Sequence, residues 1–171
     1  MADHIKGKIK KTYPEFIQEG IRLHRLIDQY TDSHKIVRSH CSIMEPKVGL
    51  LSGVAMDMLY DYVLAKNWSL FSDVKLPQFV STIYNEMLNH RELFPERFEF
   101  MFRYMRRDNW LEAYGTEEGM LRALNGLSRR IRFDNNLPDC WAVFLQNEEE
   151  ITEGFVLFID DIKNEIKQQF S

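Results

Sequence analysis

The stretch Gly53-Val54-Ala55-Met56-Asp57-Met58-Leu59-Tyr60-Asp61-Tyr62-Val63-Leu64 decides the fold. Its side chains are apolar in almost every direction around a helix. A helix of that kind belongs at the centre of a bundle. The reading extends it over residues 47–67, with Pro46 at its start, where a missing N–H costs least. Two carboxylates interrupt the run. Leu50, Val54, Asp57, Asp61, Leu64 and Trp68 follow one another at intervals of three or four, so all six share one helix face. A carboxylate on an inward face is expensive unless it is paired, hydrogen-bonded or bound to a metal.

The preceding segment repeats the pattern. A helix is expected over residues 14–31, with apolar stripes at Phe16, Leu23, Ile27 and Tyr30 and at Ile17 and Ile21. On the second stripe follow His24 and Asp28, with Asp32 one turn further. Two helices that each present ligands at i and i+4 resemble the inward-pointing metal sites of helical bundles. Imidazole with carboxylate suits Mn²⁺, Fe²⁺ or Zn²⁺ better than Ca²⁺. Such an ion lowers the pKa of bound water and can hold a phosphoryl oxygen. The same residues have a plainer reading. Asp57 and Asp61 could pair with Arg22 or Arg25, and His24 with Asp28 could form a helix-surface pair. His34, near a helix end, reads as a capping or dipole-complementing residue. His40 and His90 have no patterned partner and read as surface residues. Asp3-His4 is a weak signal, because adjacent residues point to different helix faces.

Further helices are expected from Ser33 as N-cap to Met44, over 76–93, over 95–107, and from an N-cap at Thr116 to about Arg130, Glu117 and Glu118 complementing the dipole of the last of these. A final helical stretch covers 138–170, with a break at Gly154. The prolines Pro14, Pro46, Pro77, Pro95 and Pro138 stand at the starts of these segments. No alternating strand pattern, linker or repeat is visible. The chain therefore reads as one all-α bundle over 1–171.

Between Phe98 and Tyr114, aromatic residues alternate with Arg97, Arg103, Arg106 and Arg107, which would suit stacking on nucleic-acid bases. The spacing Phe98, Met101, Phe102, Met105 instead describes a core-facing stripe with arginines outside. Arg129, Arg130 and Arg132 end a helix and could receive phosphate or an acidic partner. With 22 basic and 26 acidic residues the net charge is −4, which argues against whole-protein attraction to nucleic acid or an anionic membrane. Cys41 and Cys140 are far apart and lie among apolar neighbours, so two reduced thiols in a cytoplasmic protein are expected. The start lacks the apolar core of a secretory signal, and the apolar runs are short for a bilayer.

The run Gly20-Ile-Arg-Leu-His24-Arg25-Leu-Ile-Asp28-Gln-Tyr-Thr31-Asp32-Ser-His34 resembles the acyl carrier protein phosphodiesterase family. So do Met56–Trp68, Asn109–Tyr114 and Gly126–Arg130, in the same order along the chain. The resemblance implies an all-helical fold, related to HD-type phosphohydrolases. It implies hydrolysis of the phosphodiester that joins 4′-phosphopantetheine to a serine of acyl carrier protein, with a divalent ion, usually taken as Mn²⁺. Asp3 then matches the aspartate of an A-D-x-x-x-G motif. His24, Asp28 and Asp32 match H-R-x-x-D-x-x-T-D, and Asp57 and Asp61 match D-x-x-x-D-H. On this reading Asp3, His24, Asp28, Asp57 and Asp61 hold the metal, the last four also serving catalysis. Arg25, Arg129 and Arg130 engage phosphate or the acidic carrier. Two departures stand out, each removing a possible ligand or proton carrier. Tyr62 occupies the place of the family's histidine, and Met1-Ala2-Asp3 begins without the usual F-L-A-H-type segment. The expectation that follows is a loosely anchored N-terminus beside an apolar groove that a homodimer could cover. A binding protein that keeps the fold without the chemistry, and a nucleotide phosphohydrolase, are the alternative readings.

Overall fold

The computed structural model describes Gly7 and residues 13–170, and among these it holds helices and turns but no strand. The helices are α1 (Glu15–Ser33), α2 (Lys35–Val48), α3 (Ser52–Lys66), α4 (Leu76–Asn89), α5 (Glu96–Arg107), the single turn α6 (Trp110–Ala113), α7 (Glu117–Ser128), α8 (Cys140–Gln146) and α9 (Glu148–Gln169). The all-α expectation is met.

α3 is the central helix. Ala55, Met56, Leu59, Tyr60, Tyr62 and Val63 are all buried. α2 folds back against it as a hairpin, and α7, α8 and α9 close the remaining sides. The core so formed includes Met44, Met56, Leu59, Met120, Leu124, Leu137, Phe144 and Ile151, all fully buried. Each such side chain contributes about 1.5–3 kcal/mol of transfer free energy. A second, smaller core joins α4 to α5 through Val80, Tyr84, Phe98 and Phe102. The Phe98–Phe102 stripe is thus core, as its spacing implied, while Phe100 and Arg103 lie outside.

Several boundaries differ from the sequence reading. Pro46 does not start a helix; it lies in the last turn of α2. The stop is Gly49, whose φ of 57° only glycine adopts without strain. Helix formation resumes at Ser52 after a 3-10 turn. The stretch Lys35–Lys66 is long and apolar enough in total to cross a membrane. The bend at Gly49 divides it into helices of 14 and 15 residues. At about 1.5 Å per residue neither spans the roughly 30 Å of a hydrocarbon core. The final helical stretch breaks at Asn147, not Gly154.

Gly154 has another reason to be glycine. A Cβ there would lie 2.6 Å from the His40 ring. His40 is only 3% exposed, so it is not the surface residue its sequence context implied. Its Nδ1 lies 2.7 Å from the Tyr60 hydroxyl. Burial lowers the His40 pKa, and the Glu150 charge offsets part of this. An unfolded chain takes up this proton near 6.5, and the folded one resists it. The stability that depends on neutral His40 is therefore full above pH 6.5 and is lost progressively as pH falls below it. The melting temperature is expected to fall on that acid side, and His40→Gln should flatten the dependence. An identical pH profile in the variant would show that His40 is not responsible.

Candidate functional site

Asp57 and Asp61 occupy the one side of α3 that the core leaves open. Leu50 of the same stripe lies in the 3-10 turn before α3 and is 98% exposed. Val54 and Leu64 pack against the core, whereas Asp57 and Asp61 are exposed. Solvent reaches both carboxylates. Protein nevertheless crowds around Asp61. Burial first, and the Asp57 charge second, push its pKa up to about 7. Asp61 is thus open to water on one side and crowded by protein on the other. Contact with water moderates the size of the shift and leaves its direction intact.

Neighbouring helices complete this face. Cys41 on α2 feels the charges of Asp57 and of Asp32, at the end of α1. Burial and these two charges raise its pKa, so the thiol stays protonated and unreactive. Tyr114, just past α6, feels Asp61 and Arg130. The Asp61 and Arg130 charges both act on Tyr114, although the three residues come from motifs separated in sequence. Periodicity alone missed Tyr114. Its available signal was its place at the end of the Asn109–Tyr114 motif.

On α1, His24 Nε2 and Asp28 Oδ2 are 3.4 Å apart, and both are partly exposed. Arg25 donates to the Gly7 carbonyl at 2.7 Å. Asp3 itself lies outside the described residues. Arg22 pairs with Glu15 at 2.8 Å. His34 stands between α1 and α2 but its side chain makes no capping bond; it contacts Asp161 at 3.3 Å and stands edge-on to Phe158. His90, by contrast, is a partly exposed partner of Glu86. Arg129 and Arg130 are exposed. Arg129 lines a surface cleft with Arg132, Phe133 and Asn135. Asn135 fixes that loop by donating to the Ser128 and Phe133 carbonyls.

Tyr62 has left the carboxylate side altogether. It is buried, edge-on to Trp141 at 4.9 Å and to Phe144 at 5.5 Å. A histidine at this position on the same backbone would sit in the core, not beside Asp61.

Among the described residues, no three histidine, cysteine, aspartate or glutamate side chains stand together as a ready metal cage. The carboxylate pair still fits a hard divalent ion. Such ions are commonly held by one or two carboxylates, with water and substrate phosphate filling the remaining positions. Burial, and then the Asp57 charge, raise the Asp61 pKa, and a cation beside the pair would offset both.

A model of the family described as acyl carrier protein phosphodiesterase matches residues 1–162. The chain belongs to the acyl carrier protein phosphodiesterase family. It is 31% identical to the acyl carrier protein phosphodiesterase of Enterobacter sp. (strain 638) over 143 residues, 82% of this chain and 74% of that protein. The Salmonella paratyphi A phosphodiesterase is 30% identical over 157 residues, covering 91% of this chain and 81% of the relative. The Yersinia enterocolitica phosphodiesterase is 29% identical over 131 residues, 76% and 68% of the two chains. No solved structure matches the chain. The phosphodiesterase family match spans all of α1 to α8 and most of α9, so both carboxylate helices, the Tyr114 turn and the arginine loop lie within it.

Proposed function

We propose that this protein is a phosphodiesterase that removes 4′-phosphopantetheine from holo-acyl carrier protein in the cytoplasm. The observation that carries the reading is the acyl carrier protein phosphodiesterase family match over residues 1–162, which contains the two exposed carboxylates Asp57 and Asp61 one turn apart on α3. Burial and the Asp57 charge raise the Asp61 pKa to about 7. A general base works best when its pKa lies close to the operating pH. Ionised Asp61 accepts a proton from water as the water oxygen bonds to phosphorus. The bond from phosphorus to the serine oxygen breaks on the opposite side. That oxygen takes up a proton, leaving the serine of the apo-carrier and free 4′-phosphopantetheine.

Asp57 and Asp61 are the residues that would hold a divalent ion, which we take to be Mn²⁺. When bound, the ion supplies charge for a nonbridging phosphate oxygen and a lowered pKa for water. His24 and Asp28 pair with each other on α1. Arg25, Arg129 and Arg130 supply the positive charge that steers an acidic carrier, because steering depends on the local patch and not on the net charge.

Incubation with holo-acyl carrier protein and Mn²⁺, followed by intact mass spectrometry of the carrier, tests the reading. The expected product is the apo-carrier, and chelation should stop its formation. A carrier of unchanged mass under saturating metal overturns the proposal. Turnover of nucleotide phosphates instead would assign the same site to a different substrate.

A further inference from the structure

Several surface arginines of this fold are held by carboxylates. Arg22 pairs with Glu15, Arg91 and Arg103 with Glu99, Arg107 with Asp108 and Arg122 with Glu118. Arg129 and Arg132, on the loop that follows α7, are exposed, and neither is held in an ion pair among the described residues. Both line one surface cleft of about 320 Å³, with Phe133, Asp134 and Asn135. Phe133 is 57% exposed. A single exposed ring is ordinary by itself. A ring that shares one concavity with two unpaired guanidiniums has the composition of an interface core, where aromatic residues and arginine are enriched.

The loop is braced from within. Ile131 lines the cleft and also packs against the main core, and Leu137, at the loop's far end, is fully buried in that core. Between these anchors Asn135 holds the chain. Its side-chain amide donates to the Ser128 carbonyl at 3.2 Å and to the Phe133 carbonyl at 3.0 Å. Its Oδ1 accepts from the Ser128 hydroxyl at 2.8 Å and from the Leu137 amide at 3.2 Å. Arg129, Arg132 and Phe133 are thus displayed on a backbone fixed before any partner arrives, which lowers the ordering cost of association.

We propose that this cleft docks an acidic protein surface, with Arg129 and Arg132 pairing to its carboxylates and Phe133 packing on an apolar side chain among them. Charge selects the partner. The chain as a whole carries −4, so it repels an acidic protein except where unpaired positive charge is concentrated. In the cleft two arginines face a single lining carboxylate, Asp134. Complementary charge of this kind fixes orientation and partner choice. A free phosphate would use the guanidiniums and leave Phe133 in water, whereas a protein surface covers all three side chains. The partner's identity rests on the phosphodiesterase reading: the acidic surface belongs to the acyl carrier protein. The cleft then holds the protein part of that substrate, not its phosphodiester.

Apo-carrier has no phosphodiester and so isolates the docking step. Its affinity is measured calorimetrically, without added metal, for wild type, Arg132→Glu, Phe133→Ser and Arg97→Glu, and the series is repeated with holo-carrier. Arg97 is exposed on α5 outside the cleft, and its reversal changes the net charge equally. Arg132→Glu and Phe133→Ser are expected to bind both carriers about tenfold more weakly, as for a central interface residue. Arg97→Glu should stay within about twofold of wild type, because salt screens a charge outside the contact. All three variants should melt with wild type, since the replaced side chains are exposed. Apo-carrier that does not bind the wild type, or that binds both cleft variants as well as wild type, overturns the docking site. Equal weakening by Arg97→Glu reduces the effect to net charge and overturns it too. A loss confined to holo-carrier gives the cleft to the phosphodiester instead. Gel filtration covers the remaining occupant: a wild-type dimer that Phe133→Ser dissolves assigns the cleft to a second copy of the chain and overturns the proposal. Hydrolysis of holo-carrier with Mn²⁺ is followed separately. A wild type that binds apo-carrier through the cleft but leaves holo-carrier intact would overturn the phosphodiesterase reading and leave the docking site standing.

Discussion

Asp61→Asn should abolish carrier hydrolysis while making the metal-free protein more stable at mildly alkaline pH. Both effects have one origin. Asp61 titrates near 3.8 in an unfolded chain and near 7 in the folded one. A carboxyl whose pKa is raised on folding contributes its full share to stability below 3.8. That share is lost as pH rises toward and through about 7, when the folded protein must carry a charge it disfavours. Asparagine keeps the shape and removes the charge. The chelator-treated variant should therefore melt above wild type on the alkaline side and close to it in acid. Activity should fall by about 1000-fold, within the range for loss of a positioned general base. In wild type, kcat/KM should rise with pH as Asp61 loses its proton. A divalent ion beside the carboxylate should move that rise to lower pH. An Asp61→Asn protein with near-normal turnover, or with no gain in stability at any pH, would remove Asp61 from this role.

The face that carries Asp61 was legible because its information is local. Intervals of three and four residues place Asp57 and Asp61 on one side of a helix, whatever the rest of the chain does. The Thr116 cap was legible for the same reason, and so was the Phe98–Phe102 core stripe. Features set by tertiary contact were hidden. His40 looked like a surface residue because its partners, Tyr60 and the bare backbone of Gly154, are distant in sequence. Gly154 looked like a helix break, but its missing side chain serves packing between α2 and α9. Pro46 read as a start signal, although proline is tolerated in the last turn of α2 just ahead of the stop at Gly49. Of the six residues in the stripe, Val54, Asp57, Asp61 and Leu64 share a face of α3, while Leu50 and Trp68 fall in the 3-10 turns that flank it. Val54 and Leu64 pack against the core and the two carboxylates are exposed. An apolar stripe with two carboxylates has the same periodicity whether it faces a core or lines an open cleft. Only the packing of Met56, Leu59, Tyr62 and Val63 on the other sides of α3 decides between them.

Tyr114 illustrates the same limit within the site. Its sequence neighbours place it in a short turn, and nothing in that turn mentions α3. The contact of Gly115 with Ala65 links the two, and a glycine in a turn reads at first as conformational freedom. The junction of α6 and α7 therefore packs directly on the helix that carries the carboxylates.

That dependence makes Gly119→Ala the substitution with the largest expected effect on the fold. Gly119 lies in the first turn of α7, buried against the end of α6. A Cβ there would be 1.9 Å from the Ala113 carbonyl oxygen, 2.6 Å from its carbon and 2.9 Å from Thr116 Oγ1. Two of these atoms are backbone, so no rotamer change relieves the clash, and α6 must separate from α7. The Ala113 carbonyl accepts from the Thr116 amide at 3.0 Å and from its hydroxyl at 2.9 Å, and both bonds are strained by the separation. The Thr116 cap is strained with them. Overpacking and cap loss together outweigh alanine's better helix propensity, for a net cost of about 2–4 kcal/mol. That is a large fraction of the roughly 5–15 kcal/mol that holds a domain of this size. Gly126→Ala is the matched control, since it lies in the same helix with nothing within 4 Å of its Cβ. It should stabilise the protein by about 0.5–1 kcal/mol. Urea denaturation of the two variants measures the difference directly. A Gly119→Ala protein as stable as Gly126→Ala would mean that α6 and α7 do not meet as described.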